Sequence, residues 1–168
     1  MKHLRSPWLL GCVALLVAVL LWDASGLDLW VMRLWGTVEG FPLKENPWLS
    51  KLLHTRGQQA AMVAYLLLWW MVWRPLGPWR GLTRRDRLAS ALAVTASVLT
   101  ISVLKHFSLT SCPWDLTLFG GPADYVSHWA WGVADNGGGK CFPGGHASSA
   151  FGFLAVGLPF LLSGQAEL

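Results

Sequence analysis

The residues with chemistry to offer crowd into one stretch, 105–146. It holds Lys105, Cys112, Asp115, Asp124, His128, Asp135, Lys140 and Cys141. Six glycines (Gly120, Gly121, Gly132, Gly137, Gly138, Gly139) precede a Pro143-Gly144-Gly145-His146 turn. Glycines just before a helix leave backbone N–H groups free and let an anion approach closely. A histidine at that point can protonate a departing group, because imidazole ordinarily titrates near neutrality. A lysine offers a compact point charge. Each residue also has a plainer reading. Lys105 ends an apolar run and can simply snorkel to an interface. His146 can be an interfacial side chain, and Gly144-Gly145 an ordinary turn.

These residues need elements to hold them. Apolar residues make up 54% of the 168-residue chain and charged residues 13%. An ordinary soluble domain carries about 25% charged residues, so neither a disordered chain nor a soluble globule fits. Four stretches, 6–22, 57–73, 88–104 and 147–166, contain no Asp, Glu, Lys or Arg. A bilayer core about 30 Å thick takes roughly 17–25 helical residues. The reading is an all-α, multi-pass transmembrane helix bundle of about four spans, a single membrane domain over 1–168. Four buried helices of a soluble protein would leave too little polar surface to cover them.

The charges set the orientation. Lys2 and Arg5 precede the first stretch, and Arg74, Arg80, Arg84, Arg85 and Arg87 lie between the second and third, opposed only by Asp86. Basic loops stay cytoplasmic. Both basic segments then fall inside, and segments 23–56 and 105–146 face outward. The same arginines could form a nucleic-acid patch, but their place between two spans favours topology, and no nucleic-acid partner is expected. The first stretch is slightly long for a signal-peptide core, and Ala24-Ser25-Gly26 is a poor cleavage site, so it reads as an uncleaved anchor. Ala89, Ala93 and Ser97 form a small-residue stripe on the third span, as Ser148 and Gly152 do on the fourth. Such stripes let membrane helices approach closely. Trp69, Trp70 and Trp73 suit an interfacial belt.

Two segments carry a family resemblance. Segment 105–113 begins with Lys105 and ends in Cys112-Pro113, and the Pro143-Gly144-Gly145-His146 turn follows at the outer end of the next span. The chain resembles the type 2 phosphatidic acid phosphatase family, whose fold is shared with vanadium haloperoxidases. The family's motifs are K-x6-R-P, P-S-G-H and S-R-x5-H-x3-D. Lys105 and Pro113 match the first, with Cys112 in place of arginine. Pro143, Gly145 and His146 match the second, with Gly144 in place of serine. The 168 residues contain no S-R-x5-H-x3-D, so the chain reads as a truncated relative of a six-helix phosphatase fold.

The resemblance implies a role for each matched residue. Lys105 would bind phosphate oxygens, and the N–H groups around Gly144 and Gly145 would cradle the phosphoryl group. His146 would protonate the leaving oxygen. The family's nucleophile, a histidine of the third motif, is missing from these residues, and neither His106 nor His128 stands where it would be activated. The expected function is a lipid phosphate or polyprenyl diphosphate phosphatase of a bacterial inner membrane, with its site facing the periplasm. The alternative is a non-catalytic membrane protein that binds lipid phosphate or packs against partner helices.

Cys112 and Cys141 could pair in an oxidising compartment. That bond would join the two motif segments and give the arginine's replacement a geometric reason. Cys12, inside the first span, reads as a packing residue. The five histidines, His3, His54, His106, His128 and His146, show no tight metal-ligand spacing. No metal or cofactor is expected.

Overall fold

The computed structural model describes residues 7–130 and 132–162. Its regular structure is helical, and the extended pairings among the described residues are isolated bridges, Thr37 with Gly40 and Leu116 with Ala123. Lys2 and Arg5, which carry part of the orientation reading, lie outside these residues, as do His3, Ser6 and 163–166.

Helix α1 (Pro7–Ser25) leads into α2 (Leu27–Arg33). The two meet at 64°. Gly26 makes the corner at φ 68°, a left-handed conformation that a β-carbon disfavours. Cys12, expected to pack, is exposed on α1. A π-helical stretch, Trp48–Arg56, runs straight into α3 (Gly57–Trp73). This helix therefore begins well before the uncharged stretch that marks it in the sequence. Lys51 and Arg56 interrupt the apolar run but not the backbone hydrogen bonding. Pro75 stops α3, because the residue before a proline is driven out of the helical region; Arg74 has ψ 72°.

Helix α4 (Arg84–Phe107) starts at a capping box. The Asp86 N–H donates to Thr83 Oγ1 at 3.2 Å, and the Thr83 N–H donates back to the Asp86 carboxylate at 3.3 Å. Arg87 also has a structural task beyond topology. Its guanidinium donates to the carbonyls of Val72, Trp79 and Leu82 at 3.3, 3.2 and 2.7 Å. These bonds close the turn between α3 and α4.

The fourth apolar stretch is helical in three short pieces: α5 (Gly145–Gly152), a 3-10 segment Phe153–Gly157, and α6 (Leu158–Leu162). The helical type changes after Gly152 and after Gly157 while the backbone stays right-handed, with Gly152 at φ −57°, ψ −33° and Leu158 at φ −56°, ψ −46°. Two helices, Trp48–Gly81 and Arg84–Phe107, are long and apolar enough to cross a membrane, or three spans if the bent α1–α2 pair counts as one.

The helical core is Leu68 and Val72 of α3, Ala91 and Val94 of α4, and Trp79 and Leu82 of the turn between them. Phe153 and Phe160 pack on it, with Phe160 edge-on to Trp79 at 5.8 Å. A second cluster, Leu116, Phe119 and Ala123, seats the 105–146 segment against Leu29 and Met32 of α2. The outer faces stay apolar: Leu15 is 70% exposed, Leu21 65% and Leu66 60%. That is the kind of surface a bilayer covers.

The small-residue stripe on α4 is turned from its expected position. Ala89 and Ala93 are exposed, while Ser90, Ala91 and Val94 face inward. Ser97 and Gly152 do meet. A β-carbon on Gly152 would stand 2.7 Å from Ser97 Oγ and 3.2 Å from its Cβ. Gly152→Leu should therefore push α5 off α4 and lower stability by about 1–3 kcal/mol, the usual cost of overpacking. Thermal unfolding in detergent measures it. Gly157, where a β-carbon meets nothing within 4 Å, is the control site.

Candidate functional site

The 105–146 segment is fastened where its two ends pass each other. The Lys140 N–H donates to the Ser108 carbonyl at 2.9 Å, and the Cys141 N–H to the Thr110 carbonyl at 3.0 Å. Cys112 is disulfide-bonded to Cys141, with their Cα atoms 5.0 Å apart. Beside the bond, Asp135 is almost fully buried. Its carboxylate accepts from the Ser111 N–H, from the Ser111 hydroxyl at 3.0 Å and from the Gly137 N–H at 3.0 Å. The Gly139 N–H in turn donates to Ser111 Oγ at 2.9 Å.

Burial opposes ionisation of Asp135, but the hydrogen bonds from Ser111 and Gly137 outweigh it and hold the carboxyl below its usual value. A carboxyl whose pKa is depressed on folding stabilises the fold above its unfolded value and loses that stabilisation as pH falls through the folded value. Loop stability should thus be flat from pH 7 to about 4 (the ordinary aspartate value) and fall below that. Asp135→Asn should weaken the segment at pH 7 and remove its share of the acid dependence. Amide exchange at Ser111 and Gly137 against pH checks this.

This fastening fixes the two motif segments relative to each other. They meet at one end of a cavity of about 860 Å³. Lys105 of α4, Gly145 and His146 of α5, and His54 of the π-helical stretch line that end. The rings of His54 and His146 are 4.3 Å apart between centroids and tilted by 50°. Lys105 Nζ lies 3.7 Å from where a β-carbon on Gly145 would stand, so glycine leaves the ammonium room against the helix start. Gly144 is the N-cap of α5, with extended backbone (φ −64°, ψ 108°) and no side chain capping the helix. The first N–H groups of a helix have no partner within it. Among the described residues, nothing hydrogen-bonds or ion-pairs with the Lys105 ammonium.

The rest of the cavity is different in character. Leu49, Leu53, Met62, Val98, Leu99 and Phe153 supply apolar walls. The polar atoms deeper in are satisfied: the Thr95 hydroxyl donates to the Ala91 carbonyl at 2.7 Å, which leaves Tyr65 to donate to Thr95 Oγ1 at 2.9 Å. The cavity thus has one cationic, donor-rich end and a long apolar remainder.

Of the residues singled out in the sequence, Lys105, Gly145 and His146 come together here and Gly144 caps the helix beside them. Pro143 follows a cis peptide bond. Cys112 and Pro113 lie outside the cavity lining; Cys112 is bonded to Cys141 and Pro113 opens a 3-10 turn, Pro113–Asp115. His106 is exposed with its ring against Phe107, and His128 stacks on Phe142 at 4.1 Å. Neither lines the cavity. His54 was not among the sequence candidates. Its one signal was depth: the orientation reading puts it at the outer end of a span, level with Lys105 and His146. π-Helical turns are rare and frequently occur at functional sites.

No protein-family model, curated protein or solved structure matches the chain. What the site can do follows from its own residues. A free ammonium and unpaired helix-start N–H groups attract an anion. Imidazoles beside them can move a proton. The apolar remainder suits a hydrocarbon chain on the same molecule.

Proposed function

We propose that this is a multi-pass membrane protein whose outward-facing cavity takes a lipid phosphate or polyprenyl diphosphate and hydrolyses off its terminal phosphate. One observation carries the reading. Lys105 and His146, 41 positions apart in the sequence, stand at the same end of a cavity that is otherwise largely apolar. The headgroup sits against the Lys105 ammonium and the N–H groups at the start of α5, and the acyl or prenyl chain runs along Leu53, Met62 and Leu99. As the P–O bond breaks, His146 gives a proton to the leaving oxygen. Water supplies the oxygen that ends on phosphorus, and the proton it releases restores His146. The His54 ring packs against His146 at a tilt, 4.3 Å between centroids, and restricts the directions in which the His146 ring can turn.

The membrane setting of this proposal is a bacterial inner membrane crossed about four times. α1–α2 and the segmented α5–α6 stretch accompany α3 and α4, with the N-terminus inside. The two-motif resemblance to type 2 phosphatidic acid phosphatases supports the reaction, and the Arg74–Arg87 charges support the orientation.

Purified protein in detergent or vesicles should release inorganic phosphate from a short-chain phosphatidic acid. Release equal to that of empty vesicles, together with saturable lipid binding, would leave the site as a lipid-phosphate receptor without turnover.

A further inference from the structure

We infer that Asp23, Asp28 and His128 form a site for a first-row divalent cation, Zn²⁺ foremost, that fastens the outward segment to the bend between α1 and α2. The ligand atoms of these three side chains lie within 4.8 Å of one another. Two potential ligand atoms are orphans: Asp28 Oδ1 and His128 Nδ1 are buried and have no hydrogen-bond partner. A buried carboxylate oxygen and a buried ring nitrogen left unpaired are costly. Neither partners the other here, and a shared cation drawn between them would satisfy both.

The surroundings are those of an oriented ligand set. Each carboxylate is held by a hydroxyl from the outward segment. Ser127 donates to Asp23 Oδ2 at 2.6 Å, and Tyr125 to Asp28 Oδ2 at 3.1 Å. The His128 ring is fixed by parallel stacking on Phe142, with an interplanar angle of 3°. Hydrogen bonds and packing that orient metal ligands in this way are the usual outer shell of a metal site. One imidazole and two carboxylates suit zinc with a water in the remaining position, whereas calcium and magnesium favour all-oxygen sets.

The ion would join Asp23 at the end of α1, Asp28 in α2 and His128 in the outward segment. Through Phe142 it would also brace the turn that leads to Gly145 and His146. It takes no part in the reaction proposed above. Local spacing of histidines and cysteines does not reveal such a site, because its ligands come from distant parts of the chain.

The full chain, purified and stripped with EDTA, is titrated with Zn²⁺ alone by calorimetry and in thermal melts. One bound ion per chain and a raised unfolding temperature are expected. Both should be lost in His128→Gln and in Asp28→Asn, with helical circular dichroism unchanged before metal is added. Absence of zinc binding by the wild-type chain would overturn the proposal. So would zinc binding that persists in both variants, and its loss in His54→Ala would then place the ion at the cavity.

Discussion

His146→Ala is expected to lower phosphate release from a short-chain phosphatidic acid by about 10²–10⁴-fold, the usual contribution of a positioned general acid. The loss should fall on kcat. Lys105 and the start of α5 still hold the headgroup in the variant, so KM should change little. That split follows from geometry: the imidazole lines the cavity end beside Lys105 but is not its only anion-attracting group. His106→Ala is the matching control, because that ring is exposed against Phe107 and outside the cavity. An equal loss in both variants would point to a general disturbance of α4 and α5, and no loss in His146→Ala would remove His146 from the chemistry.

Breaking the Cys112–Cys141 bond should have the second large effect. The two cysteines are 29 residues apart. Closing a loop of that size stabilises by about 3–4 kcal/mol on the chain-entropy account. Cys112→Ser should reduce unfolding stability by that order. It should also weaken headgroup binding, because the bond holds the segment after Lys105 beside the one before Gly145. Two backbone hydrogen bonds and the Asp135–Ser111 contacts remain, so the segment should loosen rather than unfold. Chemical denaturation with and without reductant measures the difference. Cys12→Ser, on the exposed face of α1, should behave as wild type.

Lys105, Gly145 and His146 were legible because each stands at the boundary of an uncharged run, where polarity and helix ends are marked together. Helical class was legible for the same reason: long apolar runs leave few alternatives. Where a helix begins was less so. The Trp48–Arg56 stretch carries Lys51 and Arg56, and hydropathy breaks there although the helix does not. The stripe on α4 was misplaced because small size does not say which side meets a neighbour; Val94 faces inward while Ala93 does not. His54 and Asp135 show a harder limit. Their roles arise from pairings with His146 and Ser111, and no local spacing records a contact between distant segments. The α5–α6 stretch changes helical type after Gly152 and Gly157, and glycine content alone does not tell such a change from a close helix crossing, which is what Gly152 makes with Ser97.

A cavity that holds a phosphate at its Lys105 end and a hydrocarbon chain in the rest should tell a phosphorylated lipid from its uncharged counterpart. Calorimetric binding of a short-chain phosphatidic acid, set against the matching uncharged diacylglycerol, tests it most directly in wild-type and Lys105→Met protein. The wild type should bind the phosphate form more tightly by on the order of 10–100-fold, in keeping with about 1.5–3 kcal/mol for a hydrogen bond to a charged group. Lys105→Met should shrink that preference severalfold or more, leaving only what the N–H groups at the start of α5 supply. A phosphate preference that survives unchanged in Lys105→Met, or a wild-type chain that binds both lipids alike, would rule out phosphate binding at Lys105.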